Sequence, residues 1–241
     1  MKKHFKLALI LTWLPISILF NSCNINCISG SGRQVTEDRS VVPFTKVEFG
    51  GTIRLRIRQD SMPFMRITAD DNIQKLIKTQ VNGEVLKIEM DGDFCNTGDI
   101  IIELSAKQWK GIKASGDTHI RSENQINSDE FNLDLSGSSE VDLDLMTAIF
   151  TMESSGSSKI NLKGQARKSD VNLSGASEIN AFDFVVSDYN IKSSGASKCA
   201  INVLNSLKIN SSGASEVLYK GYPKEIVNDK SGSSTLTHLE N

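Results

Sequence analysis

Carboxylates are the residues of this chain best suited to do chemistry. Asp134 and Glu153 hold the same position in two successive copies of an internal repeat. Glycoside hydrolysis uses two carboxyl groups facing each other across a groove, so this pair is the best candidate for a polysaccharide-active enzyme. Neighbouring copies supply Lys or Asn there, and an aromatic content of 6% leaves little with which to build a sugar-binding groove. Asp91-Gly92-Asp93 offers two oxygen ligands for calcium, without the longer Asp/Asn-spaced loop and distal Glu of an EF-hand. His119 and His238 stand about six copies apart, too far to share a metal or form one catalytic pair. No nucleophile elbow, phosphate loop or dinucleotide fingerprint occurs. Cys199 falls at an apolar position of the repeat and reads as a core thiol; Cys27 and Cys95 carry no assignment. The expectation is no catalytic residue, no metal and no cofactor.

The bulk composition narrows the partners. With 39% hydrophobic and 23% charged residues the chain is globular rather than disordered. Its formal charge of −2 gives no basic excess to attract phosphate, which argues against nucleic acid. Four Cys and 3 His are too few for a multi-Cys zinc framework or a dense disulfide scaffold.

The N-terminus reads as an address. Lys2, Lys3 and Lys6 precede an almost wholly apolar run from Leu7 to Phe20. That run is too short to span a bilayer and fits a secretory h-region. It ends in Phe20-Asn21-Ser22-Cys23, where a small residue before Cys resembles a lipobox. Residues 1–22 are therefore expected to be a lipoprotein signal peptide, with Cys23 acylated and inserted in the membrane. Residues 23–40 begin with a stretch rich in Asn, Ser and Gly and read as a flexible tether.

The elements that would position any site come from the repeat. Ser-Gly-small-Ser recurs around Gly137, Gly156, Gly175, Gly195, Gly213 and Gly232, with a degenerate first copy around Gly116. The spacing stays near nineteen residues, and a flexible Gly/Ser linker would not keep such register. Three residues before the first Ser stand Ile112, Leu133, Met152, Val171, Ile191 and Ile209, with Asn228 breaking the series. Five after it stand Ile120, Val141, Ile160, Ile179, Cys199, Val217 and Leu236. Alternation of apolar and polar positions predicts strands with one face inward. A nineteen-residue coil is about 60 Å around at ~3.3 Å per residue, which suits short strands joined by tight corners. The expected fold is all-β: a parallel, right-handed β-helix or β-solenoid. The tetrapeptide would form the corner, with Gly at positive φ. The residue after it runs Glu140, Lys159, Glu178, Lys198, Glu216, predicting a ladder of alternating charge that favours one register.

Residues 41–241 read as a single domain, with 41–110 a cap and 111–241 the coils. Lys46 to Arg58 alternates as strands around Gly50-Gly51, and Met65 to Ala69 is another strand. Asp70-Asp71-Asn72 followed by Ile73, Leu76 and Ile77 has helix spacing, and Asn82-Gly83 signals a hairpin.

The registered Ser-Gly-Ala/Ser-Ser copies, each followed by Glu or Lys and then Ile or Val, resemble the head GIN domain family, described as putative auto-transporter adhesins. The resemblance covers roughly Val41 to Leu236. It implies a β-helical, non-enzymatic lipoprotein of the bacterial cell envelope, anchored at the outer membrane and facing the periplasm or the surface. Three functions follow as expectations: a module presenting its surface to a protein or glycan partner, a β-helix polysaccharide-active enzyme, and a purely structural envelope component. Oligomerisation stays open.

Overall fold

The computed structural model describes residues 27–240. The signal peptide and Cys23 lie outside the described residues. Seven strands and one helical turn form most of the cap: β1 (Ile28–Ser29), β2 (Gln34–Arg39), β3 (Lys46–Gly50), β4 (Ile53–Gln59), β5 (Phe64–Asp70), α1 (Asp71–Gln74), β6 (Ile77–Asn82) and β7 (Val85–Met90). Two more strands, β8 (Phe94–Cys95) and β9 (Ile101–Ala106), lead to the coils. The coils comprise β10 (Gly111–Ser122), β11 (Ile126–Gly175), β12 (Glu178–Gly195), β13 (Lys198–Gly213), β14 (Glu216–Lys220), β15 (Glu225–Lys230) and β16 (Thr235–His238).

The coils stack as parallel strands, as the repeat predicts. Ile112 lies beside Leu133, Val171 beside Ile191, and Ile191 beside Ile209. Corner stacks on corner: Gly116 pairs with Gly137, Gly175 with Gly195, and Gly195 with Gly213. Both apolar columns are buried from Ile112 through Ile209 and from Ile120 through Val217. A fully buried Ile, Val or Leu contributes roughly 1.5–3 kcal/mol, so every coil adds a similar increment to one continuous core. At the last coil the pattern fails. Asn228 replaces the apolar residue, Lys230 stands where Ser211 is buried, and β15 is exposed along its length. A strand edge blunted by a charge at an inward position resists pairing with stray strands.

The cap continues the same sheet. Gly111–Ser115 of β10 pairs with β3, and Thr118–Ser122 with β4. β3 and β4 thus form a coil of their own that turns at Gly51, whose φ is +102°. Beneath it the topology becomes mixed: β7 is parallel to β3 but antiparallel to β6, and β9 is parallel to β4 but antiparallel to β5. Antiparallel partners close the end of the stack, which a further parallel coil would leave open. Trp109 seals the cap core, edge-on to Phe44, with its indole N–H donating to the Arg58 carbonyl at 3.0 Å. The hairpin forms as expected, its two-residue loop being Gly83-Glu84.

Two expectations are corrected. The helix is a single turn, Asp71–Gln74, and Ile77 already belongs to β6. The flexible tether assigned to 23–40 is ordered from residue 27 onward. β2 pairs antiparallel with β5, Cys27 forms a disulfide with Cys95, and β1 pairs with β8. The cap therefore includes residues 27–40 as well. The backbone of this segment is held by the cap: Ser31 N–H donates to Asn72 Oδ1 at 2.9 Å, and Asn72 Nδ2 donates to the Ser29 carbonyl at 2.8 Å.

Candidate functional site

The corners set the surface. Each stacked glycine has positive φ, and a Cβ at Gly137 would lie 2.6 Å from the carbonyl oxygen of Gly116 below it. The same collision recurs at Gly116, Gly156, Gly175, Gly195, Gly213 and Gly232. The corner backbones therefore pack too closely for any side chain. Gly51 extends the column into the cap, since Gly116 faces its backbone.

The serines around the corner divide by direction. The last residue of each tetrapeptide, from Thr118 through Ser139, Ser158, Ser177, Ser197 and Ser215 to Ser234, is buried. Several hydroxyls pair inside the corner: Thr118 donates to Ser139 at 3.0 Å, Ser154 and Ser177 lie 3.1 Å apart, and Ser193 and Ser215 2.8 Å apart. These serines are mostly interior wall, although Ser139, Ser158 and Ser177 also reach the base of the groove described next. The third residue of each tetrapeptide faces outward instead. Asp117, Ser138, Ser157, Ala176 and Ala196 line a groove of about 520 Å³ that climbs the corner.

One wall of that groove is the charge column. Lys159 lies opposite Glu178, Glu178 opposite Lys198, and Lys198 opposite Glu216. His119 lies opposite Glu140. Among the described residues, an ion pair closes at Lys198–Glu216 (3.4 Å) within this column, and His119 Nδ1 lies 3.0 Å from Glu140. Arg54 of β4 stands beside His119 and extends the column downward, where it pairs with Asp99 at 3.1 Å.

A second polar column, two residues further on, was missed by the sequence reading. Arg56 lies beside both Glu103 and Arg121, and Arg121 beside Asp142. Asn161 Nδ2 then donates to Asp142 Oδ1 at 2.8 Å, and Asn180 Nδ2 to Asn161 Oδ1 at 3.2 Å. The signal was available: these residues share the outward parity of the first column. Together the two columns form a polar strip beside the groove, with charges of both signs.

The other candidates do not join this site. Asp134 stands beside Lys113, which pairs with Glu48 at 3.4 Å. Neither Asp134 nor Glu153 lines the corner groove. Asp91 is engaged by Lys78 at 2.7 Å, and among the described residues no group of three or more His, Cys, Asp or Glu could hold a metal ion. His119 stays in the charge column, while His238 stacks on Tyr219 at 4.8 Å in the last coil. Cys199 is buried in its apolar column, and burial pushes its thiol up to about 12, which keeps it protonated and unreactive.

The most strongly lowered carboxylate among the described residues lies in the cap. Asp71 accepts from the Ser31 hydroxyl and from Arg33, which donates through Nε at 3.1 Å as well as through its terminal nitrogen. The hydroxyl first and the guanidinium second hold this carboxyl at about 2. Asp70 beside it is buried, accepts from Gln34 Nε2 at 2.8 Å and from the Gly98 N–H at 3.2 Å, and is also lowered. Both carboxylates fasten the N-terminal segment.

Comparison with known proteins agrees with this architecture. A family profile described as "Putative auto-transporter adhesin, head GIN domain" matches residues 43–223. A solved putative adhesin from Bacteroides fragilis is similar at 22% identity with a TM-score of 0.79, over 88% of this chain and 100% of that one. A putative adhesin from Parabacteroides merdae is similar at 24% identity and TM-score 0.71, over 88% and 98%. A putative lipid binding protein from Parabacteroides distasonis has 17% identity and TM-score 0.69, over 88% and 99%. At these identities the structures show a shared fold. No curated protein matches.

Proposed function

The chain belongs to the head GIN domain family, and from that premise we propose that it is a non-enzymatic, lipid-anchored protein of the bacterial cell envelope that docks a protein or glycan partner along its corner groove. The observation that carries the reading is the groove itself: a floor of small side chains, set by glycines that nothing can replace, beside a wall of alternating charge. A flat floor admits an extended partner, and mixed charges give specificity more than raw attraction. The Cys27–Cys95 disulfide supports export, because disulfides persist in oxidising compartments outside the cytosol. The h-region and the Ser22-Cys23 pair support acylation at Cys23 and attachment to the outer membrane.

The test places bulk on the groove floor. Ala176→Trp and Ala196→Trp point outward and leave the core intact, so both should fold with unchanged circular dichroism. Each should lose binding to isolated envelopes or to a glycan array by at least about tenfold, the order reached when a contact worth ~1.4 kcal/mol is lost. Unaltered binding by both would remove the groove from the function. Acylation is tested separately: Cys23→Ala should abolish labelling by a palmitate analogue, and persistent label would remove the anchor. A reducing-sugar assay on envelope polysaccharide tests the enzyme reading, and release that stops in Asp134→Asn would establish it.

A further inference from the structure

The N-terminal segment is fastened to the cap from Cys27 to Gln34. Cys27 is bonded to Cys95, Asn72 holds Ser29 and Ser31, Asp71 holds Ser31 and Arg33, and Asp70 holds Gln34. Only Asn24, Ile25 and Asn26 separate Cys23 from this clasp. We propose that the cap end of the solenoid is a lipid-facing surface, held against the headgroups of the membrane that carries the Cys23 acyl chains. The inference rests on the reading of Cys23 as the lipid attachment site.

The argument is one of reach. Four Cα-to-Cα steps from Cys23 to Cys27 cover at most about 14 Å, whatever conformation those residues take. A free tether of eighteen residues would reach roughly 60 Å, enough for the whole solenoid to tumble above the bilayer. The disulfide removes that freedom by moving the effective point of attachment to Cys95, at the base of the stack. Two further features suit a headgroup layer. Ile28 is 38% exposed beside Gly92 and Phe94, which gives an apolar contact next to the anchor. Most of the charges around it are matched, with Arg33 on Asp71, Lys78 on Asp91 and Arg54 on Asp99, while Asp93 has no ion-pair partner among the described residues. Such a surface meets zwitterionic or mildly anionic lipid without strong repulsion. The last corner of the stack, Gly232, lies seven corners above Gly51. At about 4.8 Å per coil this is roughly 34 Å from the base. The corner groove then runs between the two ends, and a partner approaching from outside meets the open coils first.

The experiment uses the full lipidated chain in phosphatidylethanolamine/phosphatidylglycerol vesicles containing a rhodamine-headgroup lipid. A click-labelled azidophenylalanine donor replaces Asp93 near the clasp in one preparation and Tyr222 in the last coil in another. Energy transfer should be at least about twofold greater from 93 than from 222, given a separation of six coil steps. Inserting ten Gly/Ser residues between Asn24 and Ile25 should lower transfer from 93 and bring the two positions together. Mass spectrometry of the N-terminal peptide separates the premises. A chain without acyl groups overturns the anchor, and the orientation with it. An acylated chain with equal transfer at 93 and 222, or with transfer unaffected by the insertion, overturns the orientation alone.

Discussion

The cap and the coils reach the same sheet by different means. In the coils every contact is repeated: apolar residue over apolar residue, glycine over glycine, charge over opposite charge. In the cap almost every stabilising contact occurs once. One disulfide, one clasp of Asp70, Asp71 and Asn72, one buried Trp109 and three antiparallel pairings hold it together. A repeat can distribute its stability over many equivalent interfaces, whereas an end must be closed by unique contacts because it has a neighbour on one side only. The comparison predicts that single changes in the cap act through specific bonds, and that changes in the coils act through backbone register.

The largest expected effect is in the cap. Cys27→Ser with Cys95→Ser opens a loop of 68 residues, and the chain-entropy estimate for such a loop is about 4 kcal/mol. Urea denaturation of the double variant should show that loss. A midpoint equal to that of the parent would mean that the hydrogen-bonded clasp alone suffices. The next effect belongs to the coils. Gly175→Val combines left-handed strain with a clash against the Gly156 carbonyl, which the stacked strands cannot move aside. Strain of roughly 1–2 kcal/mol and overpacking of roughly 1–3 kcal/mol put the total near 3 kcal/mol. Gly32→Ala in the cap is the partner experiment, because Gly32 has φ +75° but nothing within 4 Å of a Cβ. It should cost only about 1 kcal/mol of strain. Equal losses for the two variants would show that close stacking at the corner contributes nothing.

Smaller is the charge column. Lys159→Glu lines up three carboxylates at 140, 159 and 178, and exposed pairs of about 0–1 kcal/mol each give a total on the order of 1 kcal/mol. The loss should shrink toward 1 M salt, where the Debye length is about 3 Å. Lys208→Glu is the control, since its register partners are Asn190 and Val227. Equal salt-dependent losses at 159 and 208 would dissolve the ladder into general surface charge. The smallest effect is a local opening with pH. Asp71 has a folded value depressed to about 2. Its contribution is therefore complete above the ordinary carboxylate value near 4 and is lost as pH falls from about 4 through 2. Amide exchange at Ser31 should accelerate in that window and not in Asp71→Asn, which lacks the titrating group.

The sequence made the repeated region legible and the singular region mostly not. Ile112, Leu133 and their successors announce themselves because alternation and coil spacing point at the same residues. The inward serines were available by the same logic, since Ser139 shares the parity of Val141. The corner at Gly51 escaped because Gly50 and Thr52 flank it, not the serines of the other copies. Cys27 and Cys95 are joined across 68 residues by tertiary proximity, which no local pattern encodes. The composition of residues 24–33 suits a flexible linker, but Asp70, Asp71 and Asn72 supply the hydrogen-bond partners that order its second half. Ile73, Leu76 and Ile77 have helical spacing, yet the strand pairing of β6 with β7 claims Ile77.

Amide hydrogen exchange followed with and without reductant tests the division most directly. Reduction of Cys27–Cys95 should release protection in β1, β2 and the clasp around Ser31, while β11, β12 and β13 keep theirs. Simultaneous loss of protection in the cap and in these central coils would contradict the account, because it would mean that the repeat does not hold its own register and depends on the singular contacts of its end.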